Sequence, residues 1–409
     1  MPSMLQLYCM KITDEQRYIL LMLQRRGPLA RKDIAESCRM SIPKATGLLA
    51  ELKDARIIEP LTGVSSGGRI PELLHLRKDL FYTVGIDVGT EYIRVALFDI
   101  RGKMLASSAW HDNIEFPRDL PLNILEGAVR RVCTEAHVPL SNVKSLGIAI
   151  TGILHEKEGR CLFLRNTPLW KGLDVVKGAQ AVIGVSSVII RDSVRSMAVA
   201  EERFGSARGL KDFVVFNVGI GLGAGIVLNG SLLSGDRGTS GEFGHMHIRP
   251  SGELCVCGNY GCLEATASAW AILKRCKEAI ATGVETSIGA GKGLSEISVA
   301  DIIEAADDGD KVAVKILEDM ADDLALGIGS IMNILNPEKI ILSGGTIRAA
   351  KTHMLGPITR GIKAIVIPWL QKNISIEVSQ LGEWDAALGV FSEASESYIA
   401  QLEELPTNA

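Results

Sequence analysis

The chain has 409 residues, enough for several domains with cores of their own. Its 47% apolar and 22% charged residues exclude a disordered, collagen-like or small disulfide-bonded protein. The net charge of −4 divides unevenly: residues 1–80 carry 13 Lys+Arg against 9 Asp+Glu, so the rest is acidic, and a basic head on an acidic body points to a polyanion as the head's partner.

Thr13-Asp14-Glu15-Gln16 has the pattern of a capping box, and the apolar spacing from Tyr18 to Leu23 predicts a helix that Gly27-Pro28 ends. A second helix is expected over Lys32 to Cys38. Ser41 can cap a third, with Pro43 in its first turn and Leu48, Leu49 and Leu52 inward. Two strands follow, Arg56–Leu61 and Arg69–Leu76, joined by the turn Gly63 to Gly68. Three helices and a glycine-tipped hairpin predict a winged helix-turn-helix. Its third helix would enter a major groove through Ser41, Lys44 and Thr46, and Arg69 on the wing would reach a phosphate or the minor groove. A small helical packing domain is the alternative. Gly47 stands where many such domains have a basic residue.

Phe81–Thr90 reads as an apolar strand ending in a turn, Ile93–Phe98 as its return, and Met104-Leu105-Ala106 as a third. A helix over Leu120–His137 and a strand over Ser145–Ile150 follow. A second copy begins over Phe213–Gly225 and returns through Ile226-Val227-Leu228 to the hairpin turn Asn229-Gly230. The body therefore reads as two related halves with a cleft between them. Glycines 219, 221, 223 and 225 resemble a dinucleotide fingerprint, but that motif needs a helix next and here a hairpin follows. The stretch Thr282–Ser298, rich in Gly and Ser, reads as a mobile loop.

The strongest chemical signal is His245 with Cys255, Cys257 and Cys262. One imidazole and three thiolates suit tetrahedral zinc, and a full set of four protein ligands suggests a structural site. His247 competes for the imidazole position. The other cysteines, of eight in all, are expected to be buried thiols, because a reducing compartment disfavours disulfides. No run of about 18 apolar residues occurs, so no membrane span is expected, and no secretory leader is read at the start, which predicts a cytoplasmic location.

These motifs resemble the ROK family of repressors, open reading frames and sugar kinases. The resemblance runs from the winged head through Gly85-Ile86-Asp87-Val88-Gly89 to Ser343-Gly344-Gly345, and is closest over Gly241–Met246 and Cys255–Glu264. It implies an α/β architecture: a winged helix-turn-helix over residues 1–80, then a two-lobed actin-like, ribonuclease-H-like fold with a sugar in the interdomain cleft. The first lobe would span 81–190, with a C-terminal helix over 380–409 returning to it, and the second 191–379. Glu242, His245 and Glu264 match the family's sugar-hydroxyl ligands, and Asp192 its catalytic base. Zinc on His245 would orient the sugar site.

The departures bear on activity. Arg191 replaces the Asn that precedes the catalytic Asp in the family's kinases. Thr90-Glu91 alters the first phosphate loop and puts a carboxylate where phosphate would lie. Ile220 replaces a Thr of the second loop. Arg191 would meet an anionic sugar or, alternatively, form a salt bridge to Glu242 or another cleft acid. The resemblance thus implies a sugar-gated regulator of carbohydrate genes, commonly a repressor. It would bind an inverted-repeat operator as a homodimer or homotetramer. The alternatives are an ATP- and magnesium-dependent sugar kinase, and a regulator controlled by a protein partner or another metabolite.

Overall fold

The computed structural model describes residues 8–61, 72–111, 121–164 and 168–407. The wing turn with Arg69 lies outside the described residues.

Local chemistry accounts for the head. Thr13 Oγ1 accepts from Gln16 N at 3.2 Å, Thr13 N donates to Gln16 Oε1 at 3.0 Å, and the helix Asp14–Arg26 starts there. The helices Arg31–Ser37 and Ile42–Asp54 follow, the latter capped by Ser41, which accepts from Lys44 N. Strands Leu29–Ala30, Ile58–Pro60 and Leu73–Leu76 form an antiparallel sheet with the last in the middle. The sequence reading expected only two of them, because a two-residue strand carries no periodicity. Helix, strand, helix, helix, strand, strand is the winged helix-turn-helix order.

The head shares its core with the end of the chain. Ile19, Leu20, Leu52 and Ile57 are buried in one cluster with Ile399, Leu402 and Leu405. The expected helix over 380–409 is shorter: it spans Asp385–Ala400, and a strand, Glu404–Thr407, pairs antiparallel with Tyr8–Lys11. Pro406 has no N–H to continue a helix and suits an edge strand.

The described residues fall into two compact units, Met1–Ser193 with Ala386–Ala409, and Val194–Asp385. The first holds the head and a five-stranded sheet. In that sheet Tyr82–Val88, Tyr92–Asp99 and Met104–His111 form an antiparallel meander, and Val143–Ile150 and Ser187–Asp192 extend it in parallel. The terminal helix lies directly on this sheet. A Cβ at Gly85 would stand 2.2 Å from Ala387 O, and one at Gly147 2.4 Å from Val390 O, so both strands need glycine for the helix to approach.

The second unit repeats the order. Phe213–Val218, Leu222–Leu228 and Ser231–Leu232 form the meander, and Lys339–Ser343 and Ile376–Val378 add the parallel strands. The helix Lys311–Leu335 supplies much of its core, including Leu317, Met320, Leu324 and Ile328. The stretch expected to be a mobile loop is tied down instead. Thr286 and Ser287 donate to Asp310 Oδ2, and Lys292 to Asp301 Oδ1 at 2.6 Å. Among the described residues no helix is long and apolar enough to cross a membrane.

Candidate metal centre and ligand site

His245 ends a short 3-10 turn, Phe243–His245, and the three cysteines lie on the loop that follows. Gly261 lets that loop close: its φ is 73°, and a Cβ there would meet Arg249 O. The ligand atoms of His245, Cys255, Cys257 and Cys262 all lie within 4.8 Å of one another. His245 Nδ1 is 3.6 Å from Cys255 Sγ, and the sulfurs of Cys257 and Cys262 are 3.7 Å apart. Sulfurs about 2.3 Å from a tetrahedral zinc stand about 3.7 Å apart. This His/Cys3 cluster can hold a metal ion. His247 is not part of it, since its Nε2 lies 3.1 Å from Arg249 O.

Burial and proximity set the thiols against one another's ionisation. Burial and the two neighbouring thiols push Cys262 up to about 12, and burial also raises Cys255. For Cys257, the Asn259 N–H and the adjacent thiols outweigh burial and lower it. An ion among the sulfurs reverses this mutual opposition. Arg249 and Arg275 both pair with the buried Asp323 of the helix Lys311–Leu335, which anchors the base of the loop.

The other face of the imidazole carries the sugar-ligand candidates. His245 Nε2 is 3.9 Å from Glu242 Oε2. About half of the Glu242 side chain is open (52%), yet burial still raises its carboxyl, opposed by His245 and by Arg195. Glu264 begins the helix Glu264–Ala267, and its Oε2 accepts from Leu222 N at 3.0 Å. That bond ties the helix to the glycine hairpin, and a Cβ at Gly221 would stand 2.8 Å from the same oxygen. The second unit thus brings Glu242, His245 and Glu264 together with the metal ligands.

Arg191 and Asp192 end the strand Ser187–Asp192 of the first unit. The Arg191 guanidinium engages two carboxylates: Nε and Nη2 donate to the two oxygens of Glu393, and Nη1 to Glu156 Oε2 at 2.7 Å. The other Glu156 oxygen accepts from Asp192 N at 3.0 Å. Of the two roles expected for Arg191, this arrangement matches a salt bridge, but the acids are Glu156 and Glu393 rather than the expected Glu242. In the altered first loop the Tyr92 ring is packed so that a Cβ on Gly89 would lie 2.5 Å from it. Arg94 stacks on that ring at 3.9 Å and stands 3.8 Å from the buried Asp87, which also accepts from Ser193 Oγ at 3.0 Å.

In the head, Ser41 and Lys44 are exposed and Thr46 is half-buried. Lys44 pairs with Glu15, and Thr46 Oγ1 donates to Ile42 O at 2.8 Å. Sequence reasoning missed Arg195, Glu156, Glu393 and Tyr92. Only Arg195 carried a signal, a charge inside an otherwise apolar helix face.

Two lobes of one strand order define the actin-like, ribonuclease-H-like class of α/β proteins. The ROK family profile matches residues 83–396, and the chain belongs to the ROK family. It is 30% identical to the xylose repressor of Caldicellulosiruptor bescii over 88% of this chain and 90% of that protein. It is 26% identical to the DNA-binding transcriptional dual regulator NagC of Escherichia coli K12, over 91% and 89%. Among solved structures, a ROK family transcriptional regulator described as a homolog of the E. coli MLC protein superposes with a TM-score of 0.78 and 26% identity, covering 94% of this chain and 96% of that one. A ROK glucokinase from Streptomyces griseus, in complex with glucose and AMPPNP, gives 0.67 and 26%, covering 76% and 98%.

Proposed function

We propose that this chain is a sugar-responsive transcriptional repressor of carbohydrate genes, acting in the cytoplasm on operator DNA. One observation carries the reading. The regulator structure is similar over 94% of the chain, whereas the glucokinase matches 76% of it while being itself covered almost completely. The difference corresponds to a folded helix-turn-helix head. On this reading the helix Ile42–Asp54 enters the major groove through Ser41, Lys44 and Thr46, and Arg69 of the wing reaches a phosphate or the minor groove. Lys44 exchanges Glu15 for phosphate.

The effector is a sugar, and Glu242, His245 and Glu264 are its hydroxyl ligands. Carboxylates and an imidazole suit vicinal hydroxyls through charge-assisted hydrogen bonds. Asp192 is assigned as a further ligand on the family resemblance. The ion held by His245 and the three cysteines is zinc in a structural role. It would fix the ring through Nδ1 and leave Nε2 toward Glu242. Two heads on an inverted repeat require a homodimer or a pair of dimers.

Sugar kinase activity is not expected. The Tyr92 ring against Gly89 and the Arg94 cation beside Asp87 crowd the first loop, and Glu91 and Ile220 remove phosphate-friendly groups. The test is a thermal-shift panel on the full chain with xylose, N-acetylglucosamine, other neutral sugars, sugar phosphates and uronates, each with and without magnesium ATP. A duplex selected from random DNA then serves for binding with and without the stabilising sugar. The expected result is a shift with one sugar, none with magnesium ATP, and release of the duplex by that sugar. Nucleotide stabilisation with ADP formed from a hexose would replace this reading by the kinase one.

A further inference from the structure

We propose that Arg191 is a positioning residue that clamps Asp192 to the terminal helix, and that this helix carries the state of the ligand site to the DNA-reading head. The inference rests on the regulator reading above and names its route of control. Every contact in it lies within the first unit.

The clamp is built from charge and planarity. Arg191 meets Glu393 through two bonds, a fork-on-fork geometry that fixes the orientation of both groups. Its remaining nitrogen holds Glu156, whose second oxygen holds the Asp192 backbone N–H. The Arg191, Glu156 and Glu393 side chains are all largely buried, at 23%, 12% and 18% exposure. A shift of Asp192 therefore moves charges that water does not freely screen. A lysine or asparagine in place of Arg191 could not hold both carboxylates in this way.

The far end of the clamp is the helix Asp385–Ala400. Less than one turn beyond Glu393, Glu396 accepts from Arg25 Nε at 2.8 Å, on the first helix of the head. Beyond the helix, Leu402 O accepts from Arg17 at 2.8 and 3.0 Å, and Glu403 O from Ile12 N at 2.8 Å. Ile399, Leu402 and Leu405 then enter the head's core. One rigid element thus has Asp192's clamp on one turn and the head on the next. A ligand that alters the position of Asp192 would shift the clamp and, through the terminal helix, the head, which is the kind of differential interaction that coupling requires.

Three variants test this in the full chain: Arg191→Met, Glu393→Gln, and the triple variant Arg191→Met with Glu393→Met and Glu156→Gln, which leaves no clamp charge unpaired while the new amide oxygen can still accept from Asp192 N. The first readout is amide exchange and needs no ligand. Arg191→Met is expected to raise exchange about tenfold in the terminal helix and in the head helix Asp14–Arg26, while the helix Lys311–Leu335 of the other unit is unchanged. A rise confined to residues around 156 and 187–192, or an equal rise everywhere, would overturn the proposal.

The second readout is the ratio of affinities for the selected duplex without and with the sugar found by thermal shift. In the triple variant the duplex affinity without sugar should stay within about threefold of the wild-type value, while the ratio falls toward one because added sugar no longer weakens binding. A wild-type ratio in that variant overturns the coupling. A wild-type chain that binds neither sugar nor duplex overturns the regulator reading instead, and the exchange experiment still decides the clamp.

Discussion

Glu242 and Glu264 have the same charge but different attachments. Glu242 is half open, with its carboxylate 3.9 Å from His245 Nε2, whereas Glu264 also serves the fold by accepting from Leu222 N. Glu242→Gln should therefore lower sugar affinity by about tenfold or more with no change in melting temperature. Glu264→Gln should lower affinity similarly and reduce the melting temperature as well. Calorimetric titration and melting of the two variants check the split, and equal melting losses would place Glu242 in the fold rather than at a ligand. At the metal centre, Cys257 is the exposed member of the set. Cys257→Ser should cut bound zinc, measured by elemental analysis after gel filtration, from one equivalent to well below it. A full equivalent in that variant would remove Cys257 from the ligand set.

The helix Lys311–Leu335 and the loop before it depend on one carboxylate. Asp310 Oδ1 caps the helix through Val312 N and Ala313 N, and Oδ2 accepts from Thr286 and Ser287. Burial opposes its charge, but these donors win and hold the carboxyl at about 2. Asp301 is likewise held at about 2, by Lys292 and Ser298. A carboxyl lowered on folding adds stability that is complete above its unfolded value, near 4, and is lost as pH falls through about 2. Chemical denaturation between pH 5 and 2 should show this loss, and Asp310→Asn, which can still cap, should make the slope shallower. Asp310→Ala should cost about 1–2 kcal/mol at neutral pH. An unaltered acid slope in Asp310→Asn would mean that another group controls it.

For the whole molecule, the head is not an appendage on a linker. Its core takes in Ile399, Leu402 and Leu405, and its first strand pairs with the last strand of the chain. Leu405→Asp places a charge in that shared core, where an unpaired carboxylate is strongly disfavoured. Duplex binding should fall by about tenfold or more while the zinc content stays at the wild-type level. Undiminished duplex binding would show that the head folds without the terminal strand. Binding to the selected duplex should also weaken steeply with salt, and Lys44→Ala should reduce the salt slope by about one.

The legible part of this protein is the part held by neighbours in the chain. Thr13 with Gln16, Ser41 before Pro43, the meander strands and the run from His245 to Cys262 are all short-range patterns, and elements and the candidate metal cluster follow from them directly. The strand Glu404–Thr407 was not legible, because its partner lies at the other end of the chain. Arg191 could be read in two ways from the sequence, and its partner Glu393 stands 202 positions away. Residue types and local spacing determined most of the elements, the family signature and the His/Cys3 cluster that can hold a metal ion. Only the tertiary structure decided which distant carboxylates meet Arg191, and that the terminal helix joins the Asp192 strand to the head, since such pairings arise from how sheets and helices pack and leave no periodic trace in the chain.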